Sequence, residues 1–195
     1  GAKVIHPRAV EIAMQAQIPL RVRSTFSDDE GTIVIGPENP LYQRTAEVVD
    51  RHVTGIAYVE RITQIRVDAL DGQYDLQRNL FKSLAQQQIS IDFINLNPSG
   101  AVFTVFDHEA EQAADVLRSA GFAPSVLPGC AKVAVIGGGM NGVPGIMARI
   151  VDALTMEDVD ILQSADSNTT IWVLVPGRDL VKSLRALHRT FELHR

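Results

Sequence analysis

The sequence AKVAVIGGGMNGVPGIMARIVDAL, residues Ala131–Leu154, decides the fold of this chain. Its apolar beginning predicts a strand that runs into a glycine-rich turn, and Pro144 marks the start of an apolar helix. The turn spaces Gly137, Gly139 and Gly142 as G-x-G-x-x-G, which is the pattern of dinucleotide-binding loops. Taken alone, this stretch would indicate a nucleotide-dependent oxidoreductase.

The same pattern of apolar residues occurs earlier in the chain, at a constant offset of 70 residues. Gly72 corresponds to Gly142, and the residues that follow each glycine form one apolar face at helical spacing. The chain therefore contains an internal repeat. The matched apolar residues are Leu76, Leu80, Phe81 and Leu84 in the first unit, and Ile146, Ile150, Val151 and Leu154 in the second.

Each unit is predicted to run strand, helix, strand, strand, helix, with turn residues between the paired strands. A β-α-β-β-α-β unit of this size is the ferredoxin-like fold, which is α+β. The predicted elements of the first unit are Thr63–Val67, Leu76–Gln87, Ser90–Asn95, Ala101–Phe106 and Glu109–Ala120. Those of the second unit are Val133–Gly137, Pro144–Met156, Val159–Ser164, Ile171–Val175 and Asp179–Phe191.

A strand count predicts that the first unit is inserted in the second. The first unit can complete its sheet with Pro124–Leu127, whereas the second ends just after its last helix and is one strand short. The apolar segment Val53–Val59 has no partner of its own, and an open apolar edge favours aggregation. We infer that this segment completes the second unit. The predicted domains are therefore 61–128 for the first, and 53–60 with 129–195 for the second.

The segment before these units is predicted to be the end of another domain. His6 and Pro7 predict the start of a helix, Leu20–Phe26 alternates between apolar and polar residues, and Thr32–Ile35 is a short strand. One helix and two short strands bury too little apolar area to fold alone. We assign residues 1–35 to this remnant and 36–52 to a linker.

The repeat changes the interpretation of the glycine-rich turn. The equivalent loop, Val67–Gly72, keeps only the last glycine, although it joins the same predicted elements. A dinucleotide loop also starts its helix near the second glycine, and Pro144 places the start later. Two interpretations then compete with cofactor binding: a structural turn in which glycine accepts positive φ, and a helix N-terminus that binds a small carboxylate, such as that of an amino acid.

The composition disfavours other classes of function. A net charge of −5 and a pI near 5.5, with no Lys/Arg cluster, argue against nucleic acid as a partner. Cys130 is the single cysteine, so no internal disulfide forms, and no residues at metal-ligand spacing predict a metal site. Neither a membrane span nor a signal peptide is visible. We expect a soluble, cytoplasmic protein that binds no membrane.

Several stretches resemble the aspartokinase family. The segment IHPRAVEIAMQAQIPLRVRSTFSDDEGT, residues Ile5–Thr32, resembles the closing segment of the aspartokinase catalytic domain. The start VTGIA at Val53, SID at Ser90–Asp92 and the glycine-rich turn before Gly145 resemble the paired ACT domains of that enzyme. The ending ALHRTFEL, at Ala186–Leu193, resembles the family's terminus. The resemblance covers the whole chain and implies that the first ACT domain is inserted in the second.

The resemblance also implies a function. Aspartokinases phosphorylate the side-chain carboxylate of L-aspartate with ATP and magnesium, giving 4-phospho-L-aspartate. The family's N-terminal motifs would lie before Gly1, so we expect this chain to be inactive alone and to hold no cofactor. Lys3 resembles a residue that lines the nucleotide site. Paired ACT domains bind an end-product amino acid for feedback inhibition, so the expected partners are this effector, a second copy in a homodimer, and the kinase domain.

The resemblance places the effector between the first turn of one ACT domain and a facing strand of its partner. Free N–H groups at a helix start bind the α-carboxylate, and acidic groups bind the ammonium. In the first unit the candidates are Asp71, Gln73, Tyr74, Asp75, Leu76, Asp92, Asn95 and Asn97. In the second unit they are Met140, Asn141, Val143, Pro144, Gly145, Ile146, Asp160, Ile161, Gln163 and Ser164.

The first turn departs from the D-x-P-G pattern of many aspartokinases, since it reads Gly72–Asp75, GQYD. Asp71 and Asp75 favour an effector with a second cationic group. In addition, GQYDLQ and SADSNTTIWVLV resemble the diaminopimelate-sensitive aspartokinases of bacilli. We therefore expect meso-diaminopimelate or lysine first, and threonine second. The alternative for Asp75 is an acid that only interacts with the helix dipole. The alternative function is a nucleotide-binding domain using Gly137–Gly142.

Overall fold

The computed structural model describes residues 4–36, 39, 52–69, 75–138, 140, 143–167 and 169–193. The chain divides into two compact units, Gly1–Asp50 and Arg51–Arg195. Within the described residues, no helix combines the length and the hydropathy that a membrane crossing requires.

Among its described residues, the first compact unit contains one helix and a two-stranded sheet. Helix α1 spans Pro7–Gln15, and the Nδ1 atom of His6 accepts a hydrogen bond of 3.3 Å from the backbone N–H of Arg8, which caps the helix start. Strands β1 (Leu20–Val22) and β2 (Thr32–Val34) pair antiparallel. The predicted helix and both strands are therefore present.

Strand β1 is shorter than predicted. The alternating pattern continues to Phe26, but the strand ends at Val22, and Phe26 is 98% exposed. The side chain of Arg23 turns back instead, and its Nε donates to the backbone carbonyl of Asp29 at 3.0 Å. This local hydrogen bond competes with continued pairing and ends the strand.

A six-stranded antiparallel sheet organises the second compact unit. Its strands are β3 (Gly55–Asp68), β4 (Asp92–Asn97), β5 (Gly100–Phe106), β6 (Ser125–Ile136), β7 (Gln163–Asp166) and β8 (Thr170–Pro176). Their order across the sheet is β4-β5-β3-β6-β8-β7, so β4 and β7 are the edges.

Four helices cover one face of this sheet. They are α2 (Leu76–Gln86), α3 (Ala110–Ser119), α4 (Ile146–Thr155) and α5 (Leu180–Thr190). A single 3-10 turn precedes α3 at Asp107–Glu109 and another precedes α5 at Gly177–Asp179. The repeated order of strand, helix, strand, strand and helix is the predicted one.

Two long strands replace four predicted short ones, and here the prediction was wrong. The predicted strands Val53–Val59 and Thr63–Val67 overlap one strand, β3, which begins at Gly55. The predicted strands Pro124–Leu127 and Val133–Gly137 overlap one strand, β6, which spans Ser125–Ile136. The long strands pair with each other over both halves, with a register shift between Val59 and Ile62. This irregularity produced the apparent break in the sequence pattern.

The pairing of β3 with β6 explains how the two ferredoxin-like domains are joined. The start of β3 pairs with the end of β6, from Gly55 opposite Ile136 to Val59 opposite Lys132. The end of β3 pairs with β5. The early strand thus completes the sheet of the second domain, and the first domain is inserted in the second, which confirms the predicted fold class. The exact domain boundaries stay a prediction.

Strands β4 and β7 begin later than predicted. The residues before each strand still bond to the end of the preceding helix. The N–H of Ile89 donates to Leu84 O at 3.2 Å, and the N–H of Val159 donates to Leu154 O at 3.0 Å. Each strand therefore starts only after its helix has been capped.

The helices bury the predicted faces in two separate apolar cores. Leu80 and Leu84 are at most 1% exposed in the first core, and Ile150 and Leu154 are fully buried in the second. Val151 is an exception to the prediction, because 38% of it is exposed. One core per domain agrees with two domains that share a continuous sheet.

A third, smaller apolar cluster lies on the other face of the sheet. It contains Ile62, Phe93, Cys130 and Leu174, with Trp172 packed against it. Cys130 is 2% exposed, so the single cysteine is a buried residue as expected. Strand β4 contributes to this cluster as well as strands β3, β6 and β8, so the sheet curls and encloses it.

Candidate functional site

A cavity of about 350 Å³ lies beside the start of α4 in the second domain. The glycine-rich turn and the first turn of α4 form one side of it, and strand β7 with the following hairpin forms the other. A volume of this size accommodates a small molecule such as an amino acid.

The turn that forms the cavity depends on two glycines. A Cβ on Gly137 would lie 2.7 Å from the carbonyl carbon of His52 and 2.9 Å from the sulfur of Met140, which is too close for either atom. Gly145 has φ of 92°, in the left-handed region, and it precedes α4 as its N-cap. Gly145 ends the turn, so the helix begins at Ile146 and not at Pro144 as predicted.

The electrostatics of the cavity come from a helix end and a carboxylate. No side chain caps the first turn of α4, whose N–H groups carry partial positive charge. Asp166 faces this helix end from β7, where it pairs with Ile171 of β8. Among the described lining residues, Asp166 is the one that carries a charge. The cavity therefore offers donors on one side and an acceptor on the other.

Five of the predicted site residues line this cavity together. They come from two segments of the chain that are distant in sequence, the glycine-rich turn with the start of α4, and β7. The structure therefore brings predicted residues of both segments together at one cavity. These residues are Met140, Val143, Gly145, Ile146 and Ser164.

Five further lining residues were missed. The predicted strand ended at Ser164, so the residues after it were assigned to a turn. Alternation along a longer strand would have placed Asp166 beside Ser164 on the cavity side. The missed residues are Met147, Ala165, Asp166, Ser167 and Ile171.

Other predicted residues of the second domain lie away from the cavity lining. Pro144 is exposed within the glycine-rich turn, and Asp160 is exposed before β7. Ile161 packs against the second core. Gln163 is buried on the opposite side of β7 and bonds to Gln64.

Two of the predicted residues of the first domain, Asp92 and Asn97, have structural partners of their own. Asp92, expected to attract an ammonium group, forms an ion pair with Lys132, whose side chain is 7% exposed. Burial raises the pKa of the Asp92 carboxyl, but the hydrogen bond and charge of Lys132, together with the hydrogen bond from the backbone N–H of Phe93, hold that pKa below its ordinary value. Asn97 accepts from the N–H of Ser99 at 2.9 Å, and Asn95 is exposed.

The last two described candidates of the first domain lie at the start of α2 and differ in burial. Leu76 is 5% exposed and belongs to the first core, while Asp75 is exposed at the N-cap of α2. Five predicted residues lie outside the described residues: Lys3, Asp71, Gln73, Tyr74 and Asn141.

Known proteins resemble this chain in both sequence and structure. Residues 125–189 match the ACT domain family. Aspartokinase 1 of Bacillus subtilis is 50% identical over 193 residues, which are 99% of this chain and 47% of the relative. The chain belongs to the aspartokinase family. An aspartokinase of Thermus thermophilus is 32% identical over 204 residues, covering 99% of this chain and 48% of the relative.

Solved structures show which part of an aspartokinase this chain resembles. The ligand-free regulatory subunit of aspartate kinase from Thermus thermophilus superposes with a TM-score of 0.67 at 27% identity, covering 72% of this chain and 98% of that one. Aspartate kinase of Clostridium acetobutylicum shares the fold over 98% of this chain, with a TM-score of 0.82 at 22% identity. The chain spans about half the length of the curated relatives it matches, and it corresponds to the aspartokinase regulatory region.

Proposed function

We propose that this chain is the feedback-sensing region of an aspartokinase and that it binds an end-product amino acid in the cavity between α4 and β7. The observation that carries the proposal is the arrangement of charge around this cavity. An uncapped helix start faces Asp166 across a small space with an apolar wall. The head group of an α-amino acid carries the complementary pair of charges.

The cavity assigns a role to each part of such a ligand. The N–H groups at the start of α4 would bind the α-carboxylate, as helix N-termini bind anions. The Asp166 carboxylate would accept hydrogen bonds from the α-ammonium. Met140, Met147 and Ile171 would contact the aliphatic part of the side chain.

The effector we propose is meso-diaminopimelate or lysine, with threonine second. The support is the resemblance of GQYDLQ and SADSNTTIWVLV to the diaminopimelate-sensitive aspartokinases of bacilli. These amino acids are end products of the route that opens with phosphorylated aspartate, so their binding would regulate its first step.

In the full-length protein, this region would control a cytoplasmic kinase domain that phosphorylates L-aspartate with ATP and magnesium.

We further propose that two copies associate through their ACT sheets. Strand β4 is an edge strand, and its Ile94 and Leu96 are 46% and 47% exposed. An apolar edge of this kind favours pairing with a second sheet. Sedimentation equilibrium would test the dimer.

Titration calorimetry tests the ligand. We expect binding of meso-diaminopimelate or lysine, and a loss of at least about tenfold in affinity in Asp166→Asn, because a charged hydrogen bond contributes about 1.5–3 kcal/mol. Asp152→Asn is the matched control, since Asp152 is exposed on α4, the helix whose start borders the cavity, and does not line the cavity.

Two outcomes would contradict the proposal. Equal affinities of the two Asp→Asn variants would exclude Asp166 from the site. Micromolar binding of NAD with no response to lysine, meso-diaminopimelate or threonine would instead support a nucleotide-binding turn at Gly137–Gly142.

A further inference from the structure

Strand β7 has one side in the cavity and the other in the interior of the curled sheet. Ser164 lines the cavity and pairs with Val173, whose side chain belongs to the helix-side core. The preceding residue, Gln163, pairs with Leu174, which belongs to the third apolar cluster. Ser164 and Gln163 are neighbours on one backbone, so a movement of Ser164 also moves Gln163. Because successive side chains of a strand point to opposite faces, the movement passes from the cavity to the interior.

Gln163 connects β7 to two strands of the inserted domain. Its side-chain nitrogen donates to the backbone carbonyl of Phe93 in β4, and its side-chain oxygen accepts from Nε2 of Gln64 in β3 at 2.9 Å. Gln64 and Gln163 are 7% and 9% exposed. Buried hydrogen bonds of this kind are costly to break, because the groups left behind are unsatisfied.

The residue that Gln163 contacts has an unfavourable backbone. Phe93 has φ of 54°, in the left-handed region, and β4 shifts its register with β5 between Asp92 and Asn95. A bulky residue keeps such a conformation only where its surroundings hold it. Here the N–H of Phe93 donates to Asp92 Oδ1 at 2.7 Å, and Lys132 pairs with the other carboxylate oxygen.

The repeat shows that a glutamine is not needed for packing at this place. Gln163 corresponds to Phe93 at the offset of 70 residues, so the two equivalent positions contact each other across the interior. An apolar side chain occupies this position in the first domain. Burying a glutamine in its place costs free energy unless every polar group is bonded.

We propose that β7 couples the cavity of the second ACT domain to edge strand β4 of the first, through the hydrogen bond of Gln163 to the strained backbone of Phe93. The coupling deepens the proposed function, on which its ligand rests. A ligand that draws Ser164 and Asp166 toward α4 displaces Gln163, and Phe93 loses one of the contacts that hold its conformation. The ligand then favours one of two arrangements of β4, as allosteric regulation requires.

Cys130 provides a reporter for this movement. It is the single cysteine, it is 2% exposed, and it lies in the same apolar cluster as Phe93. The rate at which an aromatic disulfide reagent labels Cys130 under native conditions therefore measures opening of this cluster.

The first test needs no ligand. Ser164→Phe places a bulky group on the cavity side of β7, and we expect Cys130 labelling to accelerate by at least about tenfold, as expected when buried hydrogen bonds open. Ser119→Phe adds the same group at an exposed site at the end of α3. If both variants label at the rate of the wild type, the coupling is wrong.

A double-mutant cycle separates coupling from general loosening. In Gln163→Leu, which removes the connecting hydrogen bonds but retains an apolar side chain, Ser164→Phe should add no further acceleration. Additive effects of the two substitutions would overturn the proposal.

The ligand test is independent. Saturating meso-diaminopimelate or lysine should change the labelling rate of the wild type by at least about threefold and leave that of Gln163→Leu unchanged, although this variant still binds the amino acid. An equal response in both proteins would overturn the coupling. If neither amino acid binds the wild type, the proposed effector is wrong, and the cycle alone decides the coupling.

Discussion

Gly137→Ala separates a structural role of the glycine-rich turn from a role in binding a cofactor. The added Cβ would overlap the carbonyl of His52 and lie 2.9 Å from the sulfur of Met140. The sulfur lies near the end of a flexible side chain and can move, but the carbonyl belongs to the segment that enters β3. The backbone must therefore shift, and overpacking of this kind costs about 1–3 kcal/mol, occasionally more.

This cost should appear in the stability of the protein without any ligand. We expect a loss of about 3 kcal/mol in the free energy of unfolding by urea, because the clash involves backbone on both sides. For a chain of this size, the loss corresponds to a decrease in Tm of roughly 6–12 °C. Circular dichroism would follow both transitions.

Gly138→Ala is the matched control, because a Cβ there meets no atom within 4 Å. We expect it to change stability by no more than about 0.5 kcal/mol. If Gly137→Ala were as stable as Gly138→Ala, the close approach of His52 would be wrong. A variant of Gly137 that kept full stability but lost binding of NAD would restore the cofactor interpretation.

Two other perturbations test the interior. The folded-state pKa of Asp92 lies below its ordinary value because of Lys132, so this pair stabilises the fold above about pH 4 and its contribution is lost as the pH falls through the lowered pKa. Urea unfolding between pH 2 and 6 should show a steeper loss for the wild type than for Asp92→Asn, and equal slopes would contradict the ion pair. Leu154→Ala should cost about 2–5 kcal/mol because Leu154 is fully buried, while Val151→Ala on the same helix should cost below about 1 kcal/mol. Equal losses in thermal unfolding would place the two side chains in the same environment.

The fold was predictable because the sequence contains the same pattern of elements in two repeated units. Residues such as Leu84 and Leu154 have the same environment in both domains, so two weak helical patterns support each other. The continuity of β3 was not predictable, because Glu60 and Arg61 interrupt the apolar pattern and Arg61 has φ of 59°. A charged irregularity inside a strand has the same composition as a turn.

The candidate site was predictable only in part, for two different physical reasons. The strand period that would have added Asp166 was present in the sequence, but the predicted strand ended too early. The pairing of Asp92 with Lys132 joins residues 40 positions apart on β4 and β6. No local pattern indicates such a contact, because it depends on how strongly the sheet curls.

The repeat also shows how the two domains differ at equivalent positions of the cleft between helix and strand. At the offset of 70 residues, Asp166 corresponds to Leu96, so the strand that carries a carboxylate in the second domain carries an exposed apolar residue in the first. At the equivalent helix start, Nε2 of Gln77 donates to the backbone carbonyl of Asn97 at 3.2 Å and links helix to strand. In the second domain the position of Gln77 is Met147, which lines an open cavity. The first domain thus has an apolar edge residue where the second has an acid, and its helix and strand are bridged, which suits contact with a second sheet. The second domain has an open, charged cleft. An effector bound in the second domain, as we propose, would influence that edge from a distance, and the connection we propose is the short strand β7.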